Sequence, residues 1–388
     1  MKKIIVFKSD LLPYSETFIK QQIAFLKDWD AVLVGNRRVH GLDLDEIHIE
    51  FLEPVKPSSS RKVWRELNKL LWRPFGADVS IVKACDPSLV HAHFGTDGVA
   101  FYPVARKLKL PMIVTLHGVD INVHRDWWES GKFGWGNRTY PERLLQMGKE
   151  GVSFIAVSNA IRQRAIEFGL PPERVKVNYI GVDTQFFKPE GQPISERARR
   201  ILFVGRLVEK KGCEYLIRAF REVYIAVQNS ELFIVGDGPL RTSLEALARK
   251  LDIPVKFLGP LNPFQVKKCF DQARVLCLPS VHASNGDAEG FGMVILEAQA
   301  CGVPVVTSAK GGAIEGLRDG LTGYAFPERD IDILVDRLLK LITDDKLATS
   351  MAAEATKFIS ECFDIRKCNQ KLESFYDQVF SEHYLSEV

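Results

Sequence analysis

The sequence predicts an α/β protein with two doubly wound domains, each built on a parallel sheet. Short apolar runs, the length of buried strands, alternate with amphipathic stretches along nearly the whole chain. This alternation is typical of parallel sheets that helices cover on both faces. A chain of 388 residues exceeds one ordinary core, and a polar segment at 190–200 separates two runs of the alternation.

The predicted strands form two sets, one on each side of the polar segment. The first set is 4–7, 31–34, 89–91, 112–116 and 154–157, and the second is 201–204, 232–235, 255–258, 275–278 and 303–306. We therefore place one domain at 1–190 and another at 197–363. Ligands of such sheets bind at the carboxyl ends of the strands, so we expect a ligand between the two domains.

Composition and charge exclude several classes of protein. A formal net charge of +3 gives no reason to expect nucleic acid as a partner. No apolar run reaches the length of a membrane span, and the run at 4–7 is too short for a signal-peptide core. The seven cysteines are scattered, which favours free thiols in a reducing compartment. We therefore expect a cytoplasmic protein.

Common nucleotide and metal motifs give little support to other enzyme classes. The P-loop pattern is missing, and so is the G-x-G-x-x-G fingerprint of dinucleotide-binding domains. Asp43 and Asp45 form a D-x-D pattern, which binds a metal in some sugar-nucleotide enzymes, but they lie in a polar stretch rather than after a strand. We expect no metal and no cofactor.

Two loops in the second half follow predicted strands and are suited to phosphate. In the first, Gly205 turns the chain, and Arg206 and Lys211 flank a helix start whose amides and dipole favour an anion. In the second, Gly236 and Gly238 let the backbone approach a ligand closely. The alternatives are an ordinary loop with two solvated cations and a plain strand–helix turn.

A third motif places two carboxylates eight positions apart, at Glu289 and Glu297. Gly290 and Gly292 offer backbone amides at the start of the helix between them, so the carboxylates are expected to contact opposite ends of one extended ligand. The alternative is one capping and one surface glutamate. The apolar run 293–296 predicts a buried helix, which makes Glu297 a poor surface residue.

Two features of the first half point to the same kind of ligand. His117 follows the strand 112–116, where it is placed to hydrogen-bond a substrate, although a core histidine is the alternative. All the tryptophans lie in the first half. We interpret the aromatic segment with Trp127, Trp128, Trp135 and Tyr140 as an acceptor lid, with core packing as the alternative.

Together these motifs resemble glycosyltransferase family 4, over about residues 1–380, and segments 304–307 and 311–312 add to the resemblance. The resemblance implies the GT-B fold, which is two Rossmann-like domains facing a cleft, with a last helix at about 364–388 packing back on the first domain. It also implies retention of anomeric configuration without a metal. The expected reaction moves a hexose from a nucleotide diphosphate sugar, UDP-glucose or UDP-galactose, to a saccharide or lipid-linked saccharide of a surface glycan or exopolysaccharide.

The resemblance also implies a role for each matching residue. The donor diphosphate would be held by Arg206 and Lys211, the ribose by Glu297, and the donor sugar by Glu289. His117 would hydrogen-bond the transferring sugar. Further donor contacts would come from Gly205, Gly236, Gly238, Leu258, Gly259, Gly290, Phe291 and Gly292, and acceptor-side contacts from Glu16, Thr17 and Asp120. The segment 12–18 departs from the glycine-rich loop of many family members and resembles those that build bacterial polysaccharides.

Other functions of the same fold stay open at this point. A phosphorylase would need a pyridoxal lysine, for which no motif is present, and an epimerase would release no glycoside. A non-catalytic subunit that binds sugar nucleotides is the third alternative, and the joint presence of His117, Arg206, Lys211, Glu289 and Glu297 argues against it.

The segment 61–75 is amphipathic and predicts a peripheral membrane contact. At helical spacing, one face carries Val63, Trp64, Leu67, Leu70 and Leu71, and Phe75 follows Pro74; the cations are Lys62, Arg65, Lys69 and Arg73, with Glu66 the acid among them. Such a helix is suited to an anionic membrane surface. The alternative is a helix whose apolar face belongs to the domain core.

Overall fold

The structure is a computed structural model that describes residues 1–13, 16–39, 41–54 and 58–385; the side chains of Ser60, Arg61, Lys62 and Glu66 lie outside the description. The chain divides into two compact units. Unit 1 is Met1–Gly181 with Ile365–Val388, and unit 2 is Val182–Asp364. Within the described ranges, no helix is long and apolar enough to cross a bilayer.

Unit 1 is built on a parallel sheet. Its described strands are β1 (Lys2–Phe7), β2 (Asp10–Leu11), β3 (Trp29–Gly35), β4 (Arg37–Arg38), β5 (Ile49–Phe51), β6 (Leu89–His93), β7 (Met112–Leu116), β8 (Ser153–Ala156) and β9 (Val175–Val177). In this part of the chain seven strands form the main sheet, in the order β5-β3-β1-β6-β7-β8-β9, while β2 and β4 pair separately. Buried aliphatic residues fill the central strands, as a sheet covered on both faces requires.

Helices connect these strands and cover the sheet. They are α1 (Thr17–Ala24), α2 (Ser59–Leu70), α3 (Gly76–Ala84), α4 (Gly95–Lys107), α5 (Val119–Asn122), α6 (Arg125–Glu129), α7 (Tyr140–Lys149) and α8 (Asn159–Phe168). Ser158 caps α8, because its side chain accepts a hydrogen bond from the Ile161 amide.

Unit 2, which the structure describes in full, repeats the same plan. Its strands are β10 (Arg200–Val204), β11 (Glu231–Val235), β12 (Val255–Gly259), β13 (Val275–Leu278), β14 (Val305–Ser308) and β15 (Gly323–Phe326), in the sheet order β12-β11-β10-β13-β14-β15. Its helices are α9 (Cys213–Ala226), α10 (Arg241–Lys250), α11 (Pro263–Gln272), α12 (Met293–Ala300), α13 (Ile331–Thr343) and α14 (Asp345–Cys362). The two doubly wound parallel-sheet units confirm the predicted fold class.

Every strand that the sequence predicts is present, with bounds shifted by a residue or two. The strands that were not predicted from the sequence are β5, β9 and β15, which lie at the edges of the two main sheets, and the two-residue strands β2 and β4, which pair separately. Edge strands of three or four residues bury too little apolar surface to produce a recognisable hydrophobic run.

The last helix, α15 (Ile365–Leu385), packs into the core of unit 1 through Leu372, Phe375, Tyr376 and Val379. The Glu373 carboxylate on this helix is buried and accepts hydrogen bonds from the backbone N–H groups that begin β3, at Lys27 (2.8 Å), Asp28 (2.7 Å) and Trp29 (3.2 Å). One side chain therefore ties the end of the chain to an early strand.

We expect Glu373→Ala to lower the free energy of unfolding of unit 1 by about 3 kcal/mol, because it removes charge-assisted hydrogen bonds and leaves backbone donors without partners. Glu382→Ala, on the exposed side of the same helix, should change the stability by less than about 0.5 kcal/mol. The tryptophans all lie in unit 1, so denaturant titration followed by their fluorescence measures both variants. Equal stability of the two variants would contradict the role of Glu373.

Candidate active site

The loop after β10 presents two cations with different surroundings. Arg206 is exposed, and its guanidinium makes no hydrogen bond or ion pair with the described residues. Lys211 ends a short 3-10 turn, and Gly212 follows with φ +63°. A Cβ at Gly212 would lie 1.8 Å from the Pro279 carbonyl oxygen, so only glycine fits there. This close approach places Lys211 beside the segment that follows β13.

The 3-10 turn is attached to that segment by a short ladder of side-chain contacts. The pairs are Glu209 with Ser284, Lys210 with Asp287, and Lys211 with Glu289. The Lys210 Nζ lies 3.0 Å from an Asp287 oxygen, and these two side chains are only 12% and 15% exposed. Successive residues of one turn therefore hold the whole loop that leads to Glu289.

Glu289 is a mostly buried carboxylate in direct contact with the Lys211 ammonium. Burial acts to raise the pKa of Glu289, but the positive charges of Lys211, Lys210 and Arg206 outweigh it, so the pKa lies below its usual value. Glu289 is consequently ionised at neutral pH. The charges of Arg206 and Lys211 both act on this carboxylate, so both cations lie near it.

Glu297 lies on α12 and is partly exposed. The protein around its carboxylate excludes water and raises its pKa to about 7, although the charge of Lys211 acts in the opposite direction. Glu297 is therefore only partly solvated, unlike the surface glutamate of the alternative interpretation. Lys211 influences both glutamates, which places Glu289, Glu297 and Lys211 in one electrostatic environment.

Glycines bring the ends of β10, β11 and β12 together. Gly236 has φ +125°, and a Cβ there would lie 2.0 Å from the Gly205 carbonyl oxygen. Its N–H donates to the Gly259 carbonyl at 2.8 Å, and a Cβ at Gly238 would lie 2.5 Å from the Leu207 carbonyl oxygen. The ladder between β11 and β12 shifts register so that Leu258 is bulged, and its side chain is 40% exposed. The predicted loops thus share one edge of the sheet.

The segment before α12 contributes backbone rather than side chains. The Phe291 ring is buried against Phe363, with ring centroids 5.6 Å apart, so only its backbone is placed to contact a ligand. Gly292 precedes the helix with φ +82° and has no side chain to cap it. The Glu289 carbonyl accepts a hydrogen bond from the Gly312 N–H, which connects the segment 311–312 to the same site.

In unit 1, His117 lies at the carboxyl end of β7, as the sequence predicts. Its Nε2 is 3.1 Å from His93 Nδ1, while its Nδ1 has no partner in the described part of the chain. Burial, followed by the charges of neighbouring groups, lowers the pKa of His117 to about 3. The imidazole is therefore neutral, with one ring nitrogen held by His93 and the other open to a ligand.

The interpretation of Asp120 as an acceptor contact is corrected. Asp120 is fully buried, and its carboxylate accepts hydrogen bonds from the backbone N–H groups of Gly95 (2.9 Å), His117 (3.1 Å) and Gly118 (2.8 Å). Burial raises the pKa of Asp120, although these hydrogen bonds act to lower it. Asp120 therefore fixes the loop that carries His117 instead of facing a substrate.

Glu16 and Thr17 lie at the start of α1, next to a cluster that sequence analysis missed. Lys8 Nζ is 3.0 Å from Asp97 Oδ2 and 3.6 Å from Glu16 Oε1. Glu16 Oε2 is buried without a hydrogen-bond partner among the described residues, and burial raises the pKa of Glu16 to about 7. The position of Lys8 directly after the first strand is the sequence signal that would have identified it.

The acceptor-lid prediction is wrong for half of its residues. Trp128 and Tyr140 are buried in mutual contact, with ring centroids 4.5 Å apart and ring planes tilted by 44°, and the Tyr140 hydroxyl donates to the Asp120 carbonyl at 2.6 Å. These two rings belong to the domain core, where they support the loop of Asp120. Trp135 is 78% exposed, and Trp127 is partly exposed beneath the Lys132 ammonium.

The D-x-D residues form an exposed turn. Asp43 Oδ1 accepts the Asp45 N–H at 3.0 Å, and this backbone hydrogen bond is the first cause of a lowered pKa at Asp43. The described ranges contain no group of three or more His, Cys, Asp or Glu side chains arranged around a metal position. That the activity requires no metal therefore stays a prediction.

Comparison with known proteins identifies the family. Residues 184–358 match the model "Glycosyl transferases group 1", and residues 32–186 match "Glycosyltransferase Family 4". The colanic acid biosynthesis glycosyltransferase WcaL of Escherichia coli, a putative assignment in its own name, is 30% identical over 78% of this chain and 70% of its own length. The amylovoran biosynthesis glycosyltransferase AmsK of Erwinia amylovora is 30% identical over 69% of this chain and 62% of its own.

A solved structure shares the architecture. Anabaena HepE, determined in complex with UDP-glucose, superimposes with a TM-score of 0.79 at 21% identity, over 97% of this chain and all of its own. The chain belongs to the glycosyltransferases that combine a family 4 domain with a group 1 domain, and it has their GT-B fold. The predicted family and fold are confirmed, while retention of anomeric configuration stays a prediction.

The raised pKa of Glu297 gives a prediction that needs no ligand. A carboxyl whose pKa is higher in the folded than in the unfolded chain costs stability as pH rises from about 4.5 through 7. We therefore expect Glu297→Gln to become more stable relative to wild type between pH 5 and pH 8, by about 2 kcal/mol. Calorimetry at both pH values measures the difference.

Glu196→Gln, an exposed change in the same unit, is the matched control and should show no such trend. A stability difference for Glu297→Gln that does not depend on pH would contradict the assigned environment.

Proposed function

We propose that this protein is a retaining hexosyltransferase that takes a hexose from a nucleotide diphosphate sugar and passes it to a saccharide or lipid-linked saccharide. The observation that carries the proposal is the Lys211–Glu289 contact beside Arg206, which is exposed and has no partner among the described residues. A sugar nucleotide presents a diphosphate next to a hydroxyl-rich ring, and this site presents two cations next to an ionised carboxylate. UDP-glucose in HepE supports a UDP-hexose as donor, either UDP-glucose or UDP-galactose.

The names of the relatives support a polysaccharide product. WcaL and AmsK are named for the biosynthesis of colanic acid and amylovoran, which are exopolysaccharides. We infer that this chain likewise extends an exopolysaccharide or surface glycan. The acceptor would be a growing saccharide, free or attached to a lipid.

The proposed chemistry is front-face displacement, in which nucleophile and leaving group share one face of the sugar. As the bond between the anomeric carbon and the phosphate oxygen breaks, negative charge grows on the diphosphate. Arg206, Lys211 and the nearby start of α9 stabilise that charge, which is the main catalytic contribution. The acceptor hydroxyl attacks the anomeric carbon, and its proton passes to the departing phosphate oxygen.

Glu289 binds the donor sugar in this scheme and is not a nucleophile. Its ionised carboxylate, already in contact with Lys211, accepts hydrogen bonds from the sugar hydroxyls. Lys211 then contacts both Glu289 and the diphosphate, so binding of the donor replaces solvent with fixed charges. Glu297 accepts hydrogen bonds from the ribose hydroxyls, and neutral His117 bonds the transferring sugar through its open ring nitrogen.

The direct test is a donor screen followed by analysis of the product. The protein is incubated with UDP-, GDP- and ADP-sugars, and release of the nucleotide is measured with and without saccharide acceptors. Nuclear magnetic resonance of the glycoside then gives its anomeric configuration. A glycoside with the donor's configuration is expected; an inverted product, an epimerised donor without glycoside, or no turnover with any donor would contradict the proposal.

The two glutamates should differ in kinetics. Glu297→Ala should mainly raise the KM for the donor, because a ribose contact acts equally in the ground state and the transition state. Glu289→Ala should mainly lower kcat, by roughly a hundredfold or more, because its sugar contact strengthens as the bond breaks. Steady-state kinetics that leave both parameters unchanged in both variants would remove the case for this site.

Activity should not require a divalent cation, because Arg206, Lys211 and a helix N-terminus supply the positive charge that a metal would provide. Turnover is measured after extensive treatment with EDTA and again after addition of Mg²⁺ or Mn²⁺. Loss of turnover in EDTA with recovery on addition of metal would contradict this, and an Asp43→Asn, Asp45→Asn variant would then show whether the D-x-D pattern binds the ion.

A further inference from the structure

The orientation of α2 is the opposite of what a core helix requires. Its apolar side, which we call the outer face of α2, consists of Val63, Trp64, Leu67, Leu70 and Leu71, with exposed fractions of 68%, 59%, 39%, 66% and 51%. The alternative considered from the sequence, an apolar face in the domain core, is therefore wrong. A contiguous exposed apolar surface of this kind marks a site of interaction.

The opposite side of α2 is held by charge. The Arg65 guanidinium forms a two-bond contact with Asp78, at 2.8 and 3.0 Å, and donates to the Leu52 carbonyl at 3.0 Å. It also lies 3.1 Å from Glu53 and 5.2 Å from the centre of the Phe75 ring. This multiply bonded, partly buried cation fixes the orientation that leaves the outer face exposed.

The carboxyl end of α2 is fixed as well. Arg143 donates to the Lys69 carbonyl at 3.1 Å and the Leu70 carbonyl at 2.7 Å, and the Trp72 indole N–H donates to the Val99 carbonyl at 2.8 Å. With contacts at its middle and at its carboxyl end, the helix is a fixed part of unit 1. These contacts therefore hold the outer face of α2 in a defined, exposed orientation.

Exposed cations and a further tryptophan lie near the carboxyl end of α2. Lys69 and Arg73 are exposed at the carboxyl end of the helix. A Cβ at Gly136 would lie 3.5 Å from the Lys69 side chain, which places the segment with Trp135 beside α2. Trp135 is 78% exposed, and the Arg138 guanidinium lies 4.7 Å from its ring centre. Aliphatic residues, tryptophans and basic side chains are thus exposed on α2 and around its carboxyl end, and we call these residues together the α2 region.

We propose that this region docks unit 1 onto an anionic phospholipid bilayer. Tryptophan and leucine side chains bind the boundary between headgroups and acyl chains, while basic side chains are attracted by the negative surface. Apolar and basic side chains are both needed for a durable membrane contact, and this region has both. The proposal goes beyond glycosyl transfer, and it holds for any substrate.

The test is flotation of the full chain with vesicles of phosphatidylcholine, with and without phosphatidylglycerol, at low and high salt. We expect binding to the anionic vesicles that weakens with salt. The apolar variant Trp64→Ser, Leu70→Ser, Leu71→Ser should lose binding at least about tenfold. The charge variant Lys69→Gln, Arg73→Gln should bind anionic vesicles about thirtyfold more weakly at low salt, because it removes two basic side chains near the membrane surface.

Matched controls are available in unit 2. Ile225→Ser, Phe264→Ser, Leu321→Ser removes equally exposed apolar groups, and Arg249→Gln, Lys250→Gln removes an exposed cation pair. Both controls should bind vesicles like the wild type. Donor hydrolysis and thermal unfolding confirm that each variant is folded, and vesicle binding is measured whether or not any donor is turned over.

Three results would overturn the proposal. The first is no vesicle binding by the wild type, and the second is equal binding by the wild type and both α2 variants. The third is self-association of the wild type that the apolar variant abolishes without any binding to vesicles, which would assign the outer face of α2 to a second copy of the chain. Binding that the α2 variants lose and the unit 2 controls keep would establish the membrane surface.

Discussion

The ion pair between Lys211 and Glu289 is the interaction on which the proposed donor site depends. Removing one partner from a mostly buried pair leaves an uncompensated charge, which costs about 3–5 kcal/mol. The loop that carries Glu289 is therefore stable in this position only while the turn at 209–211 faces it. Gly212 permits that approach because its hydrogen leaves room for the Pro279 carbonyl. The Lys210–Asp287 pair and the Glu209–Ser284 contact then secure the loop on either side.

In unit 1, the loop that carries His117 is held in place by a different kind of contact. His117 follows a strand directly, and its loop is held by a buried carboxylate, Asp120, that accepts backbone N–H groups. The Tyr140 hydroxyl in turn donates to the Asp120 backbone. Buried groups with complete hydrogen bonding fix the loop, and this leaves one imidazole nitrogen open. In both units, a side chain of the candidate site is positioned by contacts with neighbouring groups.

Hydrophobic periodicity and glycine placement predicted the central strands and the strand-end loops that carry Arg206, Lys211 and Glu289. What the sequence left undetermined depends on contacts between distant segments. Nothing local distinguishes Asp120, which is buried, from an exposed acidic residue, and nothing distinguishes Trp128 from Trp135. The periodicity of α2 identified its apolar face, but the direction of that face follows from the contact between Arg65 and Asp78. Side-chain pattern gives the faces of a helix, and tertiary partners decide which face is inside.

The central claim is that Arg206 and Lys211 bind the diphosphate of the donor. Calorimetric titration of UDP and of uridine into wild type, Arg206→Met and Lys211→Met separates the phosphate contacts from the nucleoside contacts. Each substitution should weaken the affinity for UDP by roughly ten- to a hundredfold, which corresponds to the loss of one charge-assisted contact. The affinity for uridine should stay nearly unchanged. Unchanged affinity for UDP in both variants, or an equal loss for UDP and uridine, would contradict the account.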